Sequence, residues 1–133
     1  MTMVYRTEFP DSGDIIHVNL APSAGREMTG PHYVLVLSSR EYVKITGTVL
    51  VCPITSRVRG WAFEVSLPRG ILPAKKGVGE VDSVIFADAV RQLDFRERGG
   101  SIVARAPVSV LAEVRDKLAK VRGIPTIDDI LPT

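Results

Sequence analysis

The sequence predicts a mainly β domain with one C-terminal helix, a small barrel or sandwich of five to seven short strands. Three observations carry that expectation. Apolar, β-branched runs of strand length recur along the chain, separated by turns rich in glycine and proline. Only one long segment, near the C-terminus, repeats its apolar residues at helical spacing. A length of 133 residues with 45% apolar content is enough for one ordinary domain with a real core.

Taken in order, residues 1–12 read as an extended end, with the domain core running from about 13 to 123. Gly13-Asp14 opens IIHVNL, in which Ile16, Val18 and Leu20 alternate with His17 and Asn19, so Ile15–Leu20 is a half-buried strand. The loop APSAGREMTGP leads into YVLVL (Tyr33–Leu37), apolar enough to be buried on both faces. Ser39–Thr46 is one or two helical turns behind a serine cap. Thr48–Ile54 (TVLVCPI) is a strand whose Pro53 points to an edge or a bulge, because proline cannot donate to a ladder.

After the loop TSRVRG, Ala62–Leu67 resumes strand character. Residues 68–80, with Pro68, Gly70, Pro73, Gly77 and Gly79, form a long turn-rich connection. Ser83–Phe86 and Ala89–Leu93 are short strands about a turn at Asp88. The helix begins at Pro107 and carries Val108, Leu111, Val114, Leu118 and Val121 as one stripe. Glu113–Lys117 and Asp116–Lys120 are its i,i+4 pairs, and Gly123 is its stop. The tail IPTIDDILPT (124–133) is acidic, proline-broken and extended.

Composition narrows the function classes. A formal charge of +2 with a calculated pI near 8.9 does not by itself demand a nucleic-acid partner, so any basic surface has to come from local clustering. The single cysteine, Cys52, leaves no intramolecular disulfide framework and fits a reducing, cytoplasmic setting. The apolar runs are strand-sized, far short of the roughly 18 residues of a membrane span, and the N-terminus does not read as a signal peptide. Two histidines with no H-x-x-x-H or acidic ligand spacing make a poor metal site, and no phosphate-cradling G-x-x-x-x-G-K-[ST] occurs. Cys52 lies in an apolar strand, as a core residue does.

Two polar clusters stand where apolar strands begin or end. One is the loop with Arg26, Glu27 and His32; the other is Thr55-Ser56-Arg57 with Arg59. Singly, each reads as ordinary solvated surface. Together, hydroxyls and arginines at strand mouths suit recognition of a phosphate or another anion.

The order of these pieces resembles the MazF/PemK (Kid-like) toxins of bacterial type II toxin–antitoxin systems. The resemblance runs from about Gly13 to Gly123. It rests on GDIIHVNLAPSAGRE, VLVLS, VCPITS and GWAFEVSL, and on FADAVRQLDFRERGG before a helix at APVSV. It implies an SH3-like small β-barrel, a homodimer, and a sequence-specific endoribonuclease that cuts single-stranded mRNA without metal or other cofactor. It also implies a cognate antitoxin as protein partner.

The implied chemistry is attack by a ribose 2′-hydroxyl on the adjacent phosphate, which needs a base, an acid and donors on the phosphoryl oxygens. By the same resemblance Glu27 is the base or a substrate-positioning group, and Thr55 donates to a phosphoryl oxygen. Arg26, Ser56, Arg57 and Asp88 are RNA-binding candidates.

The chain departs from the family pattern at three places. Gly30-Pro31-His32-Tyr33 stands where the family reads G-x-R-P. Arginine is permanently charged, whereas a histidine ordinarily titrates near pH 6.5 and can exchange protons. Either His32 acts as an acid/base group, with Arg26 or Arg57 supplying the missing charge, or the site has weakened to an RNA- or antitoxin-peptide-binding module. Asp88-Ala89-Val90-Arg91 lacks the family's glutamine, which touches base recognition. Phe86 replaces a catalytic arginine of Kid-like members; the alternation of its strand favours a core position, and base stacking is the other reading. A gyrase poison of the same fold, as in the CcdB toxins, is disfavoured by the ILPT ending.

Overall fold

The computed structural model describes residues 8–21, 30–73, 82–121 and 123. Within them the strands are β1 (Asp14–Asn19), β2 (Pro31–Val36), β3 (Thr48–Thr55), β4 (Glu64–Leu67), β5 (Ser83–Phe86), β6 (Arg91–Asp94) and β7 (Ser101–Arg105). The helices are α1 (Arg40–Thr46), α2 (Phe95–Arg98) and α3 (Val108–Val121). The pairings are antiparallel throughout, and the strands follow the path β4-β5-β3-β2-β1-β7. The fold is mainly β, a half-barrel sheet with a terminal helix, as the sequence predicts.

The long strand β3 organises the rest. One edge pairs with β2, and the other pairs first with β6 (Thr48–Val51) and then with β5 (Ile54 and Thr55). Pro53 lies between those two registers, where that edge changes partner. The edge position expected from Pro53 is therefore corrected: the strand is central, and its missing donor falls in a gap of the ladder.

Successive side chains of β1–β3 point to opposite sides of the sheet, so these strands feed two cores. Ile15, Leu35, Cys52 and Ile54 join Val65, Ile85, Val110 and Val114 in one core, under β4, β5 and α3. Ile16, Val18, Val34, Val36, Val49 and Val51 join Val43, Leu93 and Phe95 in a second, under α1, β6 and α2. The apolar run at Tyr33–Leu37 serves both.

Local signals explain most of the turns. Ser39 caps α1, its Oγ accepting from the Tyr42 N–H at 3.2 Å. Gly47 ends that helix at φ 74°, a left-handed backbone that glycine adopts without strain. Residues 9–12 carry no helix or strand, yet they are tied down. Phe9 packs on Phe95, Asp11 accepts from the Arg40 N–H, and Ser12 donates to the Leu37 carbonyl. Asp14 is buried and pairs with Arg105 at 2.9 Å, joining β1 to β7.

Three further expectations change. The inward face of α3 centres on Val110 and Val114, with Leu111 and Leu118 half-buried, whereas Val108 and Val121 are exposed. The buried face is thus shorter than the stripe, which loses its residues at both ends of the helix. Two elements escaped the sequence reading. Helix α2 is capped by Asp94 and closed by Gly99, and β7 pairs with β1. The strand expected at Ala89–Leu93 begins only at Arg91, and that at Ala62–Leu67 only at Glu64. The pairs Glu113–Lys117 and Asp116–Lys120 form, at 3.6 Å and 3.1 Å, and Gly123 adopts φ 72° at the helix stop. Among the described residues no helix is long and apolar enough to cross a membrane.

Candidate active site

The β2–β3 register places two polar residues at one end of the central sheet. It pairs Val34 with Pro53, and two residues further along each strand stand His32 and Thr55. Gly30, at φ 82°, accepts from the Leu20 N–H at 2.8 Å and sets the start of β2 just before His32. Thr55 ends β3, and its Oγ1 accepts from the Arg57 N–H at 3.1 Å. A hydroxyl has one donor and two acceptor sites, so this bond leaves the Thr55 O–H to donate outward.

His32 and Thr55 form a ridge shared by two depressions. The smaller, about 240 Å³, is lined by His17, Tyr33, Ser56, Arg69 and Ser83 together with Leu67, Leu72 and three prolines. His17 is exposed, as expected, and its ring packs 4.9 Å from that of Tyr33. The larger, about 940 Å³, is an open groove lined by Arg57, Arg59, Trp61, Phe86 and Arg91, with Pro53, Ala89 and Val90 beneath. Among the described residues neither depression has a carboxylate in its lining, and the groove carries three arginines. Such a surface attracts anions and steers a polyanionic strand toward the ridge.

The loop bearing those arginines is fixed from inside. The buried Glu64 carboxylate accepts from the Arg59 and Gly60 N–H groups at 2.9–3.3 Å. Lys117 of α3 donates to the Ala62 carbonyl at 2.8 Å. On the other side, Arg69 pairs with Asp82 at 2.7 Å, and the guanidinium holds the Asp82 carboxyl below its usual range.

Of the candidates named from sequence, His32, Thr55, Ser56 and Arg57 converge on the ridge and its flanks. Asp88 is exposed in the turn after β5, beside the groove-lining Ala89, but lines neither depression. Arg26 and Glu27 lie outside the described residues. Phe86 is not a core residue. It is half-buried, lines the groove and stacks on Trp61, so its strand turns that side chain outward. Cys52 is fully buried in the first core. Arg59, grouped with Thr55-Ser56-Arg57 from the sequence, lines the groove as well, whereas Trp61 and Arg91 are lining groups whose convergence was not foreseen. A tryptophan beside arginines in a polar loop was the available signal. No group of three or more His, Cys, Asp or Glu among the described residues is placed to hold a metal ion.

Comparison with known proteins agrees with this architecture. The family model for the PemK-like, MazF-like toxin of type II toxin–antitoxin system matches residues 11–122. The chain is 31% identical to endoribonuclease PemK of Escherichia coli over 123 residues, covering 90% of this chain and 86% of that protein. It is 36% identical to endoribonuclease toxin MazF of Escherichia coli K12 over 92 residues, 69% of this chain and 75% of that one. The crystal structure of MazF from Deinococcus radiodurans superposes with a TM-score of 0.73 at 43% identity, covering 88% and 99% of the two chains. A MazE–MazF structure from the same organism gives 0.69 at 42%, covering 89% and 100%. The chain belongs to the family of PemK-like, MazF-like toxins of type II toxin–antitoxin systems.

Proposed function

We propose that the chain is a sequence-specific, metal-independent endoribonuclease that cuts single-stranded RNA, mRNA above all, and is inhibited by a cognate antitoxin. The observation that carries this reading is the His32–Thr55 ridge between two depressions, one of them lined by three arginines, in a chain of this family. A scissile phosphate at the ridge has a flanking nucleotide on either side. The ribose 2′-oxygen bonds to phosphorus, the bond to the 5′-oxygen breaks, and the products are a 2′,3′-cyclic phosphate and a 5′-hydroxyl.

The residues divide the work as that reaction requires. Glu27 takes the 2′-hydroxyl proton or positions the ribose, and His32 exchanges a proton with the reacting oxygens. Thr55, whose Oγ1 accepts from the Arg57 N–H, donates its O–H to a phosphoryl oxygen. The charge that the family's arginine would bring is replaced by Arg57, with Arg26, Arg59 and Arg91 in support. A carboxylate, a hydroxyl donor and a proton-exchanging imidazole, all retained in this sequence, favour a working site over a merely binding one. Ser56 and Asp88 contact the flanking strand. The protein is cytoplasmic, where mRNA is, and acts as a homodimer.

Primer extension on a long RNA digested in excess chelator tests the reading. Breaks at one recurring short motif, with cyclic-phosphate 3′ ends, are expected. Glu27→Ala, His32→Ala and Thr55→Ala lose the cuts. A well-folded protein that leaves a broad RNA panel intact overturns the proposal.

A further inference from the structure

We infer that Trp61, supported by Phe86 and Arg59, is a stacking platform for one unpaired RNA base next to the scissile phosphate. The inference rests on the endoribonuclease reading for the strand's identity. The platform itself stands on geometry. Trp61 is 56% exposed, although a ring of that size gains most from burial. It is not loose: its ring lies 6.1 Å from that of Phe86 at 28°, and the Arg59 guanidinium sits 4.8 Å over it.

All three side chains line the open groove together with His32 and Thr55, so the tier borders the ridge. The backbone under it is held at several points. Glu64 anchors Arg59 and Gly60, and the Glu64 N–H donates to the Trp61 carbonyl at 3.1 Å. The Ala87 N–H donates to the Phe63 carbonyl at 3.0 Å, tying this loop to the end of β5 that carries Phe86. A surface fixed before binding loses little entropy when a ligand arrives.

Charge and chemistry choose the occupant. Among the described residues the charged side chains lining the groove are Arg57, Arg59 and Arg91, which calls for a polyanion, while the exposed Trp61 ring calls for flat rings. Single-stranded nucleic acid supplies both at once, phosphates to the arginines and a base to the aromatic tier. An acidic peptide answers only the charges as well. Because the tier tolerates any base with a π face, it adds affinity and register at that position more than base identity.

Trp61 is the single tryptophan of the chain, so its fluorescence reports this site alone. The probe is a fully 2′-O-methylated single-stranded RNA octamer of mixed sequence, which binds without being cut, beside an abasic backbone of the same length and charge. The octamer is expected to quench Trp61 and the abasic strand to leave it unquenched. Trp61→Ala should weaken octamer binding roughly tenfold by anisotropy, and Trp61→Phe should recover most of that loss. Equal quenching by the abasic strand, or unchanged affinity in Trp61→Ala, overturns the inference. Quenching by an acidic, leucine-containing peptide but not by RNA assigns the tier to a protein partner and overturns it too. Quenching without cleavage sinks the enzymatic reading and keeps the platform; cleavage without quenching does the reverse.

Discussion

The β3–β4 connection (residues 56–63) and the described ends of the β4–β5 connection (68–73 and 82) flank the same ridge, yet their described contacts rest on different physics. The first is anchored by the buried carboxylate of Glu64 and by Lys117 reaching across from α3. The second carries the Arg69–Asp82 pair, whose side chains are 60% and 68% exposed. A buried carboxylate that accepts several N–H groups cannot be exchanged for water without loss. An exposed ion pair is screened and pays side-chain entropy, so it contributes little. The wall that must present aromatic and cationic groups in fixed positions is the one built around a buried anchor.

The ridge belongs to both walls, and its loss is expected to have the largest effect. Thr55→Ala should lower kcat roughly 100- to 1000-fold with the thermal midpoint nearly unchanged, as removal of one transition-state donor does elsewhere. Single-turnover cleavage measures it, and Thr55→Ser, which keeps the hydroxyl, should retain most of the rate. Next comes the strand beneath both walls. Ile85 is fully buried and is registered with Ile54 on β3 and Val65 on β4. Ile85→Ala should cost about 2–5 kcal/mol in urea denaturation.

Glu64→Ala sharpens the contrast between the two walls. It should cost about 2 kcal/mol, raise KM, and weaken the Trp61 quenching response together with stability. Glu64→Gln, keeping one acceptor, should do less of each. Asp82→Asn should leave the urea midpoint at neutral pH unchanged. Its sign with pH is nonetheless defined: the Asp82 carboxyl is lowered from 3.8 by the Arg69 hydrogen bond, so its contribution is present above that pH and lost as the pH falls through the folded value. In about 0.5 M salt even that dependence should vanish. A large loss in Asp82→Asn, or none in Glu64→Ala, would erase the comparison.

Much of this was legible in short-range patterns. The β-branched runs at Ile15–Leu20 and Thr48–Ile54, the Ser39 cap, and the two ion pairs of α3 depend on neighbours a few residues away. Asp94 three residues before Glu97, with Gly99 behind, was an equally local helix signal at α2. His32 and Thr55 were singled out by their places in family motifs, and Glu27 and Arg26 stand on the same ground.

What the sequence by itself determined is six of the seven strands, the Ser39 cap, most of the turns, and which residue types stand at the strand mouths, because periodicity and capping act within one element. Tertiary structure alone decided the rest. It made Pro53 harmless in a central strand by changing that strand's partner there. It turned Phe86 out of the core and onto Trp61, and brought Arg57, Arg59 and Arg91 into one groove from a loop and a distant strand start. Those outcomes depend on long-range register and on which face of the curled sheet each side chain meets, and no local pattern encodes either.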